Sequence, residues 1–326
     1  MPQQQRWAYQ PPNSGVYRVT RGGEVDAPTP GVVRLSLPGA IACGKDDDKV
    51  TSTPAAASRG HAIPANGTSI AVTEFPAPGK APLVLLHGIG SRGSSWWPVI
   101  DALAEHFHLY QLDLRGHGAS GKPEQGYAVE VFAEDLQGVL DALELERPAI
   151  MGHSLGGLVT LYWASQYPAD AAALVLEDPP LHTLPEILDA FDGWIQLASL
   201  TPEQAAAWYH QEYPDWTWED CLRRAEAIAG TAPGVFADLR AASAQALARG
   251  DTDRTPILAG VQSPALLLRG NPELGGMATL EDAARFQEFL PHGEVVEIMD
   301  AGHGLHRDAT ARFLEVVVPF LQRHTT

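Results

Sequence analysis

The sequence predicts an α/β protein, with a mostly parallel sheet and helices packed on both of its faces. Three observations carry this reading. From about His61, strand-like and helix-like stretches alternate along the chain. Two of the strand-like runs, Pro82–Leu86 (PLVLL) and Ala172–Leu176 (AALVL), are almost wholly apolar, as strands buried on both faces are. Residues 181–258 then break the rhythm with several helical stretches and no strand signal, as an insertion between two strands would.

The elements follow in order. Ser69–Phe75 alternates apolar and polar residues, the pattern of a half-buried strand. Pro82–Leu86 is a central strand, and Trp96–His106 has helical period. Leu109–Leu114 reads as a strand, Val129–Leu143 as a helix and Pro148–Gly152 (PAIMG) as a strand. Leu155–Tyr167 reads as a helix that stops before Pro168, because the residue before a proline is driven out of the helical region. After the insertion, Ala265–Leu268, Leu280–Phe289, Glu294–Met299 and Thr310–Gln322 read as strand, helix, strand and helix. Residues 1–60 differ in kind. They are rich in Pro, Gly, Ser and Thr, carry the charge run Lys45–Lys49, and hold two short β-like runs, Gly15–Thr20 and Val32–Leu37. The expected division is an N-terminal extension (1–60), a core (61–180 and 259–326) and a helical insertion (181–258).

Composition excludes several classes. At 326 residues and 45% hydrophobic, the chain has enough apolar side chains for a packed core. Lys+Arg 22 against Asp+Glu 40 gives a net charge of -18, with no basic patch, so nucleic acid is not an expected partner. No apolar run approaches the roughly 20 residues that span a bilayer. Residues 1–30 lack the apolar stretch of a signal peptide, and Arg34 and Pro38 interrupt Gly31–Cys43, so a cytoplasmic location is expected. The cysteines, Cys43 and Cys221, make no disulfide framework and match no metal-site spacing. No cofactor and no metal are expected. The oligomeric state is not legible.

Chemistry enters at Gly152-His153-Ser154-Leu155-Gly156, followed by Gly157. Small residues around a serine, between a buried strand and a helix, allow a sharp turn that exposes the serine Oγ at the sheet's carboxyl edge. The helix start beneath it offers N–H groups to a developing oxyanion. His87-Gly88-Ile89-Gly90 ends another strand and places a second backbone donor nearby, so Ile89 and Leu155 are the expected oxyanion donors. A serine nucleophile needs a base, and His303 in Asp300-Ala301-Gly302-His303-Gly304 sits late in the chain, where that base belongs. His306, one turn on, is expected to cap a helix or wall the cleft. Gly116–Lys122 has the spacing of a phosphate-binding loop. Pro123 stands where such a loop needs Ser or Thr, and the stretch is set aside.

Taken together, HGIGS (87–91), DLRGHGAS (113–120), GHSLGG (152–157) and AGHG (301–304) resemble the α/β-hydrolase superfamily from about His61 to Thr326. The resemblance implies an eight-stranded, mostly parallel sheet with a helical cap after the sixth strand. It implies Ser154 as nucleophile and His303 as base. The acid departs from the family pattern. Glu273 occupies the usual place after the seventh strand, and Asp178 offers the alternative place after the sixth. Both stay open, with the shorter Asp178 preferred. The implied activity is hydrolysis of small to medium apolar carboxylic esters through an acyl-enzyme, with Gly88, His153 and Trp97 beside the substrate. Other readings on the same fold are a C–C bond hydrolase of dienoic β-ketoacids and a non-catalytic ligand receptor.

Overall fold

The computed structural model describes residues 58–290 and 292–325, together with the backbone of two short strands, Trp7–Gln10 and Arg18–Arg21. Those two pair antiparallel, and the second overlaps the β-like run expected at Gly15–Thr20. The run Val32–Leu37, the interrupted apolar stretch Gly31–Cys43 and the charge run Lys45–Lys49 lie outside the described residues.

The main sheet has eight strands: β1 (Arg59–Ala65), β2 (Thr68–Phe75), β3 (Pro82–Leu86), β4 (His108–Leu112), β5 (Ala149–His153), β6 (Ala173–Glu177), β7 (Ala265–Gly270) and β8 (Glu294–Ile298). Their order is β8-β7-β6-β5-β3-β4-β2-β1. β1 pairs antiparallel with β2, and β2 antiparallel with β4; every other pair is parallel. β3, β5, β6 and β7 fill the middle and are buried almost throughout, which is why their sequences are apolar on both faces. β1 escaped the sequence reading. It is an edge strand, half exposed, and carries Pro64, which only an edge tolerates.

The helices are α1 (Ile100–Ala104), α2 (Val129–Ala142), α3 (Leu155–Gln166), α4 (Ile187–Ala198), α5 (Pro202–Glu212), α6 (Trp218–Ala229), α7 (Pro233–Arg249), α8 (Leu280–Phe289), α9 (Leu305–Asp308) and α10 (Thr310–His324). On one face of the sheet, Phe132, Leu136 and Val139 of α2, Val159 and Trp163 of α3 and Phe286 of α8 share one core cluster. On the other face, Leu103 of α1 packs with Phe313, Val317 and Phe320 of α10. The helix expected over Trp96–His106 is instead a 3₁₀ turn, Gly93–Trp96, followed by the short α1. Pro98 stands between them; its ring and missing N–H break a continuous helix there.

α4 to α7 all fall between β6 and β7. Helix α5 starts on a reciprocal Thr201–Gln204 cap with Pro202 in its first turn, and α7 ends on Gly250 at φ 72. The two strands of chain entering and leaving this segment are tied to each other. Thr183 N–H donates to Thr252 O at 2.8 Å, and Arg254 N–H to Leu181 O at 2.9 Å. Among the described residues, no helix is long and apolar enough to cross a membrane.

A buried ion pair braces the loop that follows β4. Arg115 Nε and Nη2 donate to the two oxygens of Asp135 on α2, at 2.5 and 2.6 Å. The same guanidinium reaches the carbonyls of Gly126 and Asn66. Removing the carboxylate strands a buried cation, so Asp135→Ala is expected to cost about 3–5 kcal/mol. The measurement is the urea midpoint, which should fall with an unchanged slope.

Candidate active site

β5 ends at His153 and α3 begins at Leu155, so Ser154 alone makes the turn, with φ 53° and ψ −115°. A non-glycine residue stays at such a φ only where its surroundings over-determine it. One of those surroundings is Gly156, whose Cα lies so close to the Leu86 carbonyl that no side chain fits. Another is the hydrogen bond from Ser154 N–H to Glu177 O on the neighbouring strand, at 2.9 Å. The Gly88 backbone approaches from β3: a methyl group added there would stand 3.2 Å from Ser154 Cβ and 2.9 Å from His153 Nδ1. Among the described residues, the N–H groups of Ile89 and Leu155 meet no acceptor. Leu155 belongs to the first turn of α3, where N–H groups have no partner in the helix.

Two buried histidines fix the loop that carries Ile89. His87 Nε2 accepts from Leu114 N–H at 3.0 Å, so its Nδ1 carries the proton and donates to Gly88 O at 2.7 Å. His117 Nε2 accepts from Gly90 N–H at 3.1 Å, and its Nδ1–H donates to Arg115 O at 2.9 Å. The loops after β3 and β4 are thus stitched together by neutral imidazoles. Burial pushes the His87 ring down to about 4 and the His117 ring to about 3. The Gly-rich turn Gly116–Lys122 belongs to this structure, where Asp113 accepts from Gly93 N–H and Ala119 N–H.

His303 follows β8. Its Nδ1 lies 2.7 Å from Asp178 Oδ2. Asp178 is fully buried just past β6 at φ 46°. It also accepts the N–H groups of Gly270 (3.2 Å), Met277 (2.7 Å) and Ala278 (3.0 Å). Four donors converge on two oxygens, a set that suits an acceptor-only carboxylate. Glu273 is exposed in the 3₁₀ turn Pro272–Leu274, and among the described residues no hydrogen bond or ion pair joins it to His303. The loop that carries Glu273 therefore meets its rival acid through backbone N–H groups. His153 Nε2–H donates to the His303 carbonyl at 2.9 Å, with the two rings 4.6 Å apart. Burial sets the His153 ring well below the ordinary histidine range.

A second histidine–carboxylate contact was missed by sequence reasoning. Glu177 is fully buried and accepts both His306 N–H (2.9 Å) and His306 Nδ1–H (2.8 Å). His306 is thus buried against the end of β6, with Trp96 4.5 Å from its ring. The available signal was the adjacent pair Glu177-Asp178 set against two histidines three residues apart. Of the tryptophans, Trp97 is 45% exposed and faces the Arg223 guanidinium at 5.1 Å. Trp208 is buried, Trp194 half-buried, and Trp218 exposed. Trp216 stacks on Tyr213 and carries Arg307 at 3.9 Å over its ring.

The buried imidazoles make the fold acid-sensitive. Unfolding returns His87 and His117 to about 6.5, so below that pH the unfolded chain binds more protons than the folded one. Stability must then fall as pH drops from about 6.5 toward 4, by up to about 1.4 kcal/mol per pH unit for each ring. Urea melts at pH 7 and pH 5 check this, and His117→Asn should flatten the slope.

The chain is similar to known proteins over most of its length. The family described as "alpha/beta hydrolase fold" matches residues 81–310. The chain is 30% identical over 250 residues to 2-(acetamidomethylene)succinate hydrolase of Mesorhizobium japonicum, covering 74% of this chain and 89% of that one. It is 27% identical over 251 residues to 2-hydroxy-6-oxo-2,4-heptadienoate hydrolase of Pseudomonas putida, covering 74% and 88%. A crystal structure of E-2-(acetamidomethylene)succinate hydrolase superposes with a TM-score of 0.69 at 23% identity, covering 82% of this chain and all of that one. The chain belongs to the α/β-hydrolase family.

Proposed function

We propose that this protein is a serine hydrolase that cleaves carboxylic esters of small to medium apolar substrates through an acyl-enzyme. The observation that carries the reading is the 2.7 Å contact between His303 Nδ1 and Asp178, beside a serine held at a strained strand-to-helix turn. In this mechanism Ser154 Oγ attacks the carbonyl carbon while His303 Nε2 takes its proton. Asp178 holds the Nδ1–H tautomer and stabilises the imidazolium. The unpaired N–H groups of Ile89 and Leu155 receive the oxyanion. His303 then protonates the leaving alcohol, and water releases the acid by the same steps in reverse order. Gly88, His153 and Trp97 shape the space around the acyl group.

In the same reading, residues 181–258 act as a cap on a core formed by 61–180 and 259–326, residues 1–60 are an extension outside the chemistry, and the protein works in the cytoplasm. Contacts from α6 support the cap: Arg224 donates to Gly90 O, and Arg92 pairs with Glu226 at 3.1 Å.

One observation favours a second reading. Arg224 is half-buried beside the oxyanion loop, and among the described residues no carboxylate pairs with it. A guanidinium so placed suits a substrate carboxylate, as C–C bond hydrolysis of a dienoic β-ketoacid requires.

A panel of p-nitrophenyl esters of rising acyl length, lactones and a dienoic β-ketoacid separates the two, since the favoured substrate names the reaction. A phosphonate probe should label Ser154, and Ser154→Ala should remove turnover by roughly 10⁴–10⁶ in kcat. Asp178→Asn should lose about 10⁴, whereas Glu273→Gln should stay within about tenfold, because an exposed charge acts only weakly through solvent. Full activity in Ser154→Ala, or no ester turnover in the presence of phosphonate labelling, would remove the reading. The cap assignment makes hydrogen exchange faster in α4–α7 than in β5, and equal protection would count against it.

A further inference from the structure

We infer that Glu177 and His306 form a positioning pair for His303, so that turnover depends on a second buried histidine–carboxylate contact beside the one between His303 and Asp178. This rests on the serine mechanism above and concerns how its base is held.

The first argument is placement. β6 reads ALVLE; its first four residues are apolar and buried, and its last is a fully buried carboxylate. A buried carboxylate loses hydration worth several kcal/mol, and a packed apolar residue would be at least as stable in its place. No Lys or Arg pairs with Glu177 among the described residues. Among the described residues its carboxylate is hydrogen-bonded by His306, through Nδ1–H to both oxygens (2.8 and 2.9 Å) and through the main-chain N–H (2.9 Å). Burial pushes this carboxyl up, but the His306 and His153 rings and the hydrogen bonds from His306 outweigh it and hold it down at about 2.

The second argument is connectivity. Glu177 is linked to the proposed reacting residues by one direct contact and two indirect ones. Its carbonyl accepts Ser154 N–H, its neighbour Asp178 accepts His303 Nδ1–H, and its side chain holds His306, three residues beyond His303. Opposite Glu177 in the strand register is His153, whose Nε2–H donates to the His303 carbonyl. His303 is therefore fixed at its ring, at its carbonyl and through the first turn of α9. The Trp96 ring lies tilted against His306 at 4.5 Å, and the Phe313 ring meets it edge-on at 6.2 Å. One residue thus sets the position of the nucleophile's backbone and of the base's loop together. Displacements of about 1 Å between such groups cost on the order of 10² in rate.

The experiment compares Glu177→Gln, His306→Phe and His306→Gln with wild type, with kcat referred to sites titrated by a phosphonate. A positioning role predicts that Glu177→Gln and His306→Phe lose about 10–100-fold in kcat with KM within about twofold. His306→Gln keeps a side-chain N–H for Glu177 and should recover most of the rate. The double variant Glu177→Gln/His306→Phe should be no worse than the poorer single one, as coupled groups behave. Variants that melt earlier yet keep wild-type kcat per titrated site would overturn the pairing and leave Glu177 a structural residue. Should Glu177→Gln fail to fold, the two His306 variants decide: equal rates in Phe and Gln overturn it, and a higher rate in Gln supports it. Failure of the serine mechanism itself reads differently, because then no phosphonate titre is obtained and Ser154→Ala stays active.

Discussion

A buried carboxylate must collect hydrogen bonds from every side, and the loops around this site are shaped by that demand. Asp178 is fully buried, and among the described residues no Lys or Arg pairs with it, so donors have to come to it. Three are backbone N–H groups at the end of β7 and in the segment after it, from Gly270, Met277 and Ala278, and the fourth is the His303 ring. Withdraw the carboxylate and those donors lose their partner at once, at roughly 1–3 kcal/mol for each one left unsatisfied. The positive φ of Asp178 belongs to the same arrangement, since it turns the side chain off the end of β6 and toward β7. Strand order does the rest. β5, β6 and β7 are consecutive and parallel, so their carboxyl ends emerge side by side, and the groups that follow them meet.

The opposite solution operates on the other side of Ser154. There the loops after β3 and β4 are joined by His87 and His117, which accept a backbone N–H on Nε2 and give one to a backbone carbonyl through Nδ1. Each ring replaces a missing peptide partner. Burial keeps both neutral, which a backbone-to-backbone bridge needs, since an imidazolium has no lone pair to accept with. Asn or Gln could also donate and accept, yet the ring is rigid, and the position of the Ile89 N–H depends on that rigidity. The site thus uses charge where proton transfer is proposed and neutral bridges where the geometry of a donor matters.

Much of this was legible in the sequence, and the failures have physical causes. The alternating apolar runs gave the sheet and its helices because a parallel sheet buried on both faces leaves few other patterns. The serine elbow was legible because close backbone approach leaves only small residues at Gly156. Whether Asp178 or Glu273 meets His303 was not legible. Both follow a strand, and the outcome depends on a left-handed backbone at Asp178 and on the turn of the chain at Pro272–Leu274, neither of which has a composition signal. The Glu177–His306 contact joins residues 129 positions apart, so no local pattern announces it. Pro98 breaks the helical period of Trp96–His106, whereas Pro319 is carried inside α10 without ending it, so a proline in a helical pattern does not by itself place the stop.

The helical segment between β6 and β7 packs against the loop after β3. α6 touches that loop at three points: Arg224 to Gly90 O, Glu226 to Arg92, and Arg223 to the Trp97 ring. The exposed ion pair and the cation–π contact are each worth about 1 kcal/mol or less. The Arg224 bond ends one residue from Ile89. Lifting α6 would therefore cost little at the rim but would release the carbonyl beside a proposed oxyanion donor. The tie between Leu181–Thr183 and Thr252–Arg254 stays behind, because both of its sides join the core directly and its bonds are backbone to backbone. A hinge at that tie would let the outer parts of α4–α7 swing while the entry and exit of the segment keep their register. Under the proposed cap reading, opening for substrate and assembling the proposed oxyanion site would be one event, completed when Arg224 returns to Gly90.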